Sequence, residues 1–345
     1  MIELQRYGPE LRAAIRRSLD EPARTRMDGA ALQDAVTEMA PATLYNVMRW
    51  QACANPSDRA AELVRHWKRL AAGRGYRQSV LPQARQARVV KFSPDLELMF
   101  CADHPAARPF MNGVMPAAGV HEPELVEYLI RTVRAGDVVV DIGAHVGYVS
   151  CVAAALGATV IAAEIQPTLV PMIQLNASLN ELWTVHALCV QIGDRVGLTS
   201  TFRLNPSPGM QSSVDRIGQS QALLTSVNHD CIPCMTLDSL FGDAPYPALV
   251  KIDVEGAEGS VLAGARGMIA AAKTKFVVEI HGRLISGFGT TLANLLEPFA
   301  EDVWSLSILT VDGLQPLSRE SFLDPDGPIA THRHNAPVLF EPLQP

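Results

Sequence analysis

Residues 137–151, DVVVDIGAHVGYVSC, decide how this chain folds. An apolar run of strand length closes on Asp141, and Gly143 and Gly147 occupy a turn that launches a helix over 148–156. Glycines in such a turn let the backbone reverse tightly and let a ligand approach main-chain N–H groups. Downstream the same texture repeats: strand 159–164 (TVIAAE), helix 169–180, strand 185–192 (VHALCVQI), strand 248–254 (ALVKIDV), helix 258–272 and strand 275–281 (KFVVEIH). Upstream lie a strand pair over 89–100, joined at Pro94-Asp95, and a helix over 123–134. Two further strand-like runs, 303–309 and 336–342, stand ready to complete the sheet. Short apolar strands alternating with helices predict an α/β fold, a doubly wound, mostly parallel sheet covered on both faces. Ligands of such sheets bind beyond the carboxyl ends of the strands.

Two regions break the alternation. Residues 1–88 read as a helical appendage, with Leu11, Ile15 and Leu19 on one helical face, ahead of a domain spanning 89–345. Residues 205–230 are rich in Ser, Pro, Gly and Gln, the composition of a lid or substrate loop inserted near the strand ends.

The glycine loop narrows the choice of ligand. A dinucleotide fingerprint requires G-x-G-x-x-G, whose second glycine makes room for a pyrophosphate. Here the order is Gly143-Ala-His145-Val-Gly147, so that glycine is missing, and Asp141 just before the loop repels a pyrophosphate. An acid there suits the amino end of an amino-acid-bearing cofactor. The next strand ends in Glu164, whose carboxylate is able to accept from both hydroxyls of a ribose. This favours S-adenosylmethionine over NAD, with an NAD-dependent oxidoreductase as the alternative.

The runs DVVVDIGAHVGYVS, EIQP with NASLN, TLDSL and above all LVKIDVEGAE resemble the FkbM family of methyltransferases, from about Gly119 to the C-terminus. The resemblance implies a Rossmann-like methyltransferase core and S-adenosylmethionine as cofactor. It implies that Asp141, Gly143 and Gly147 line the methionine part, with His145 standing where the family often has Asn. Glu164 then holds the ribose and Asp194 lies near the adenine. EIQP replaces the commoner FEP, which removes an aromatic residue beside the ribose. The implied reaction is O-methylation of a small-molecule hydroxyl, on a sugar or natural product, in a biosynthetic role.

Two clusters stand where the acceptor would meet the cofactor. In LVKIDVEGAE, Asp253 ends a strand and is read as a catalytic or cofactor-contacting acid. Glu255 and Glu258 follow at a spacing of three, either facing the site together or simply serving the helix dipole. Lys251 pairs with one of these acids or snorkels at a sheet edge. In the second cluster the alternation of strand 275–281 sets Glu279 and His281 on one side. An imidazole near its ordinary pKa is a natural base for the acceptor's proton, so His281 and Glu279 join Asp253 as catalytic candidates. No ligand spacing announces a metal, which leaves metal assistance by Asp253, Glu255 and His281 as the lesser alternative. Ser212-Ser213 in the polar insertion resembles the family's serine pair. Cys231-Ile-Pro-Cys234 has no partner pair and reads as two cysteines of a strand.

Composition limits the remaining classes. The formal net charge is −7, which argues against a protein that coats nucleic acid. The most apolar stretch, residues 149–163, is too short to span a bilayer. The first residues carry charges where a signal peptide needs its apolar region, and the six cysteines are too sparse for a disulfide framework; both point to the cytoplasm. Residues 65–91 hold eight Lys or Arg and no acid. That stretch is either a solvated face or a site for an acidic partner, which keeps RNA, peptide or carrier-bound acceptors as the alternative to a small molecule. A homodimer is a further expectation.

Overall fold

The computed structural model describes residues 87–102, 104, 107–115, 119–166, 169–202, 229–331 and 336–343. The expected helical appendage lies outside them except at Ala87 and Arg88, which already form strand. Most of the polar insertion, with Ser212 and Ser213, and most of the basic stretch are likewise outside.

A hairpin opens the described fold, strands β1 (Ala87–Ser93) and β2 (Leu96–Cys101), turning at Pro94-Asp95. Helix α1 (Pro123–Thr132) leads into strand β3 (Val138–Ile142), then helix α2 (Tyr148–Ala155), strand β4 (Thr159–Glu164), helix α3 (Val170–Leu179) and strand β5 (Val185–Cys189). The expected strand over 185–192 is divided. Its last residues form β6 (Gln191–Ile192), which pairs in a separate three-stranded sheet with β7 (Gly197–Phe202) and β8 (His229–Met235). Helix α4 (Leu237–Phe241), strand β9 (Leu249–Ile252), helices α5 (Glu258–Ala263) and α6 (Arg266–Ala271) and strand β10 (Lys275–Ile280) follow. Helix α7 (Leu292–Leu296), strands β11 (Trp304–Thr310) and β12 (Gly313–Pro316), helices α8 (Arg319–Leu323) and α9 (Pro328–Thr331) and strand β13 (Ala336–Pro342) complete it.

The main sheet runs β12-β11-β13-β10-β9-β3-β4-β5. Its five strands from β10 to β5 are parallel, and β13 enters antiparallel between β10 and β11. Chain order therefore runs outward one way from β3 through β4 and β5, and the other way from β9 to β10. The crevice between the carboxyl ends of β3 and β9 is the topological switch point, where such sheets hold their ligands. β3 earns its central place through β-branched side chains that pack on both faces. Val139 joins the apolar cluster under α1, α2 and α3, whereas Val140 and Ile142 join the one on the opposite face.

The single helix expected over 258–272 is two helices. A Cβ on Gly264 would stand 1.9 Å from the Gly193 carbonyl oxygen, so the backbone at this point is pressed against the neighbouring loop. Asp238 then accepts from the amides of Gly267 (2.7 Å) and Met268 (2.9 Å), which starts α6 afresh. On the other face, Asn176 and Asn180 of α3 clamp the hairpin. Asn176 Oδ1 accepts from Cys101 N–H at 2.8 Å, and the Asn180 amide bonds both N–H and C=O of Met99. Side chains at i and i+4 share a helix face, so the NASLN spacing places both amides along β2.

Candidate functional site

A cavity of about 360 Å³ opens at the switch point. Its floor is the turn from β3 into α2, one wall is the end of β4, and the other wall is the segment after β9. Within that turn the amides of Gly143 and Ala144 both reach the Ala163 carbonyl, at 2.9 and 3.1 Å. A Cβ on Gly143 would fall 1.7 Å from the Asp253 carbonyl oxygen. The glycine therefore admits the backbone after β9 as well as giving the loop its positive φ of 77°. Gly147 has a different reason. It does not line the cavity, its φ is 80°, and its missing Cβ leaves room for Ile173 of α3.

His145 lines the cavity with φ 53°, a left-handed conformation that His, like Asn, adopts more readily than most residues. Its ring meets Phe110 edge-on at 5.1 Å, and burial pushes its pKa down to about 4, so it is neutral. Its amide donates to Glu164 Oε2 at 2.8 Å, and the Gln166 amide donates to Oε1 at 2.8 Å. Two backbone donors thus aim the Glu164 carboxylate. Burial still dominates and raises its pKa to about 7. Phe110 and Val114 sit on a π-helical turn (Phe110–Val114) that the sequence pattern did not announce and line the cavity, where the Phe110 ring meets that of Tyr148.

Asp141 is not on the cavity surface. It is fully buried beneath the loop, accepts from Ser150 Oγ at 2.5 Å and lies 3.6 Å from Lys251 Nζ. Register dictates this, because Asp141 and Lys251 are direct neighbours across β3 and β9. Burial raises the Asp141 pKa, and Lys251 opposes the rise. Lys251 lies in a central strand and is 3% exposed, which overturns the reading of a lysine snorkelling at a sheet edge. Its ammonium also meets Asp253 Oδ2 at 3.1 Å. Burial alone would raise Asp253 and lower Lys251; their mutual attraction outweighs it, so the Asp253 carboxyl is held below its usual range and the lysine above.

Beyond the carboxyl ends of β9 and β10, Asp253, Glu255 and Glu279 line the cavity. His281 lies just behind them, 3% exposed. Its Nδ1 is 2.6 Å from Glu258 Oε1, and its Nε2 faces Glu255 Oε2 at 3.4 Å and Asp253 Oδ1 at 3.7 Å. Burial would lower the imidazole pKa, but the hydrogen bond to Glu258 and the charges of Asp253, Glu258 and Glu255 raise it to about 9. The expectation of a histidine near its ordinary pKa is therefore corrected: at neutral pH it is an imidazolium and has no lone pair for a substrate proton. Glu258 is fully buried and accepts from Gly256 N–H at 3.0 Å, so more than the helix dipole explains it.

Asp194 is exposed and does not line the cavity; its amide donates to Ser260 Oγ at 3.2 Å. The chain reaches the cavity two strand residues earlier, through Val190, Gln191 and Ile192. Ala163, which precedes Glu164 where the FEP pattern has its phenylalanine, lines the wall together with Ile165. Cys234 is buried in β8. Among the described residues no helix is long and apolar enough to cross a membrane.

Residues 141–305 match the family model described as "Methyltransferase FkbM domain". Among solved structures, the chain is similar to a methyltransferase FkbM from Methylobacillus flagellatus KT, at 13% identity and a TM-score of 0.37, over 88% of this chain and 59% of that one. It thus spans about three fifths of that protein's length. A precorrin-6y C5,15-methyltransferase from Geobacter metallireducens GS-15 is similar at 11% identity and a TM-score of 0.35, over 68% of this chain and 92% of that one. An rRNA methylase from Streptococcus thermophilus is similar at 10% identity and a TM-score of 0.36, over 64% and 94%. No curated protein matches the chain.

Proposed function

This chain carries a methyltransferase FkbM domain over residues 141–305, and from that premise we propose that it transfers a methyl group from S-adenosylmethionine to a hydroxyl of a small molecule, a sugar or natural product. The observation that carries the reading is Glu164. Both its oxygens are oriented by backbone amides at the end of β4, and the carboxylate lines the cavity where a ribose diol would donate to it. The loop from Gly143 to His145 and the Asp253 backbone form the floor for the methionine part. Asp141 is a positioning residue, acting through Lys251 on Asp253.

Methyl transfer from a sulfonium is an in-line displacement, so the protein's main task is alignment. Asp253 or Glu279 accepts the acceptor hydroxyl's hydrogen bond and takes its proton as the oxygen is methylated, and the His281 imidazolium keeps Asp253 ionised. The carboxylates at this end repel a phosphodiester, which weighs against RNA as the acceptor.

Calorimetric titration with S-adenosylmethionine, with NADH alongside, tests the cofactor. Micromolar binding of the sulfonium and none of NADH is expected. Glu164→Gln should weaken it about tenfold to a hundredfold, the scale of hydrogen bonds lost from a charged acceptor. Tight NADH binding, or a Glu164→Gln protein that binds as well as wild type, would overturn the reading.

The pH dependence has a definite sign. Ribose hydroxyls favour the ionised carboxylate, so binding expels a proton from Glu164 wherever the free protein still holds it. Affinity should fall as pH drops below about 7, by up to about tenfold per unit until the bound-state pKa is reached. In the free protein the same raised pKa, against an ordinary 4.5, makes Glu164 cost stability as pH rises through that window. Flat affinity between pH 5.5 and pH 8 would contradict this assignment.

A further inference from the structure

We propose that Asp253, Glu279 and His281 form a binding site for one divalent cation, of the Mn²⁺ type, which holds the acceptor's oxygen at the mouth of the cofactor cavity. The three side chains bring a ligand atom each to within 4.8 Å of one another. They come from the ends of adjacent parallel strands: Asp253 follows β9, Glu279 lies at the end of β10 and His281 follows it.

The acids alone would not carry a site; the histidine does. His281 is 3% exposed, and its Nε2 is a buried polar atom with no hydrogen-bond partner. That nitrogen points into the carboxylate cluster. Its other nitrogen is held by Glu258 at 2.6 Å, and Glu258 is itself fixed by the Gly256 amide at 3.0 Å. A carboxylate behind the imidazole fixes the tautomer and leaves Nε2 to the metal, the usual support of a metal-bound histidine. Asp253 is divided in the same way. Its Oδ2 goes to Lys251 at 3.1 Å, and its Oδ1 is the oxygen that faces His281.

Two carboxylates and one imidazole make a mixed donor set. All-oxygen sites suit Mg²⁺ or Ca²⁺, whereas an imidazole shifts preference toward Mn²⁺ and later metals. Octahedral donors about 2.2 Å from a cation lie about 3 Å apart when cis, so small side-chain rotations close the observed spacing. Three protein donors leave positions for water and for the acceptor. Glu255, exposed and 3.4 Å from Nε2, is placed to bind one of those waters. A cation takes the place of the proton on His281 Nε2, and a hydroxyl bound to it is more acidic than a free one, which activates the acceptor. A vicinal diol or another pair of oxygens is the acceptor class that fills two open positions.

The role for the acceptor rests on the methyltransferase reading, but the test of the site does not. The full chain, stripped with chelator, is titrated with Mn²⁺ alone while the free-ion electron paramagnetic resonance signal is followed. One Mn²⁺ per chain with micromolar affinity is expected. Glu279→Gln should weaken it by more than about tenfold, and the supporting Glu258→Gln by about tenfold to a hundredfold. Glu124→Gln, in a small neighbouring pocket that Glu279 also lines, lies outside the ligand cluster and should leave it unchanged. Pulsed resonance on the wild-type complex should show coupling to one imidazole nitrogen, a readout that needs no variant to fold. No saturable Mn²⁺ binding, binding indifferent to Glu279→Gln, or a complex without nitrogen coupling would overturn the site. Calorimetry with S-adenosylmethionine in the absence of metal reports separately on the cofactor cavity.

Discussion

Gly143→Ala is expected to disable the cofactor cavity and to destabilise the fold by about 2–4 kcal/mol, from a left-handed alanine (about 1) and forced overpacking (about 1–3). The new methyl would stand 1.7 Å from the Asp253 carbonyl oxygen and 2.9 Å from its carbonyl carbon, and both are backbone atoms that have no rotamer to escape into. Relief requires the segment after β9 to move away from the β3 turn. That motion takes Asp253 with it and breaks the Asp253 N–H bond to Ile142 O, 3.0 Å long. Binding of S-adenosylmethionine should therefore fall further than stability does. Gly147→Ala is the informative comparison. Its nearest atoms are 3.0–3.3 Å away and belong to Ile173, mostly to its side chain, so α3 has some room to adjust. Chemical denaturation and calorimetric titration of both variants check the order. An alanine at 143 that binds cofactor normally would show that this close approach is not needed.

Lys251→Met is the second large effect. The substitution keeps most of the side chain's volume but leaves Asp141, fully buried, with only Ser150, and Asp253 with only the imidazolium. Removing one partner of a buried pair costs about 3–5 kcal/mol, because the remaining charge has lost both water and its counter-ion. The variant Asp141 escapes by taking up a proton. Its pKa, already raised by burial, rises further once the lysine is gone. The unfolded carboxyl keeps its ordinary 3.8, so the folded variant binds more protons above that pH and its deficit grows as pH rises. Urea denaturation at pH 5 and at pH 8 should show the smaller loss at pH 5. Equal losses at both would mean that Asp141 does not carry the charge.

Most elements were legible because their signals are local. The run Val138–Ile142, bounded by glycine, and the hydrophobic face of α1 mark strand and helix without reference to the rest of the chain. Where a local reading failed, a distant contact intervened. The helix over 258–272 carries no proline, yet it breaks at Gly264 because the Gly193 carbonyl presses on it. The strand over 185–192 divides because β6 finds β8 as its partner. Asp194 was placed near the adenine by pattern, but the chain turns outward after Ile192 and carries its side chain to solvent.

By itself, the sequence determined the α/β class, the glycine turn after β3, the acid at the end of β4 and the likeness to FkbM methyltransferases. Each is written within a dozen or so neighbouring residues, and strand alternation and turn chemistry need no more than that. Only the tertiary structure decided which of the acids face the cavity. It put Asp141 beneath the floor with Lys251, turned Glu258 inward to hold His281, and brought Glu279 beside Asp253. The physical reason is register. In a parallel sheet the side-chain neighbours are chosen by how strands far apart in sequence align, and one residue of slip would send each carboxylate to the opposite face. The ionisation of His281 follows from those neighbours and not from its own place in the chain, so no reading of the residues in line would have shown it charged.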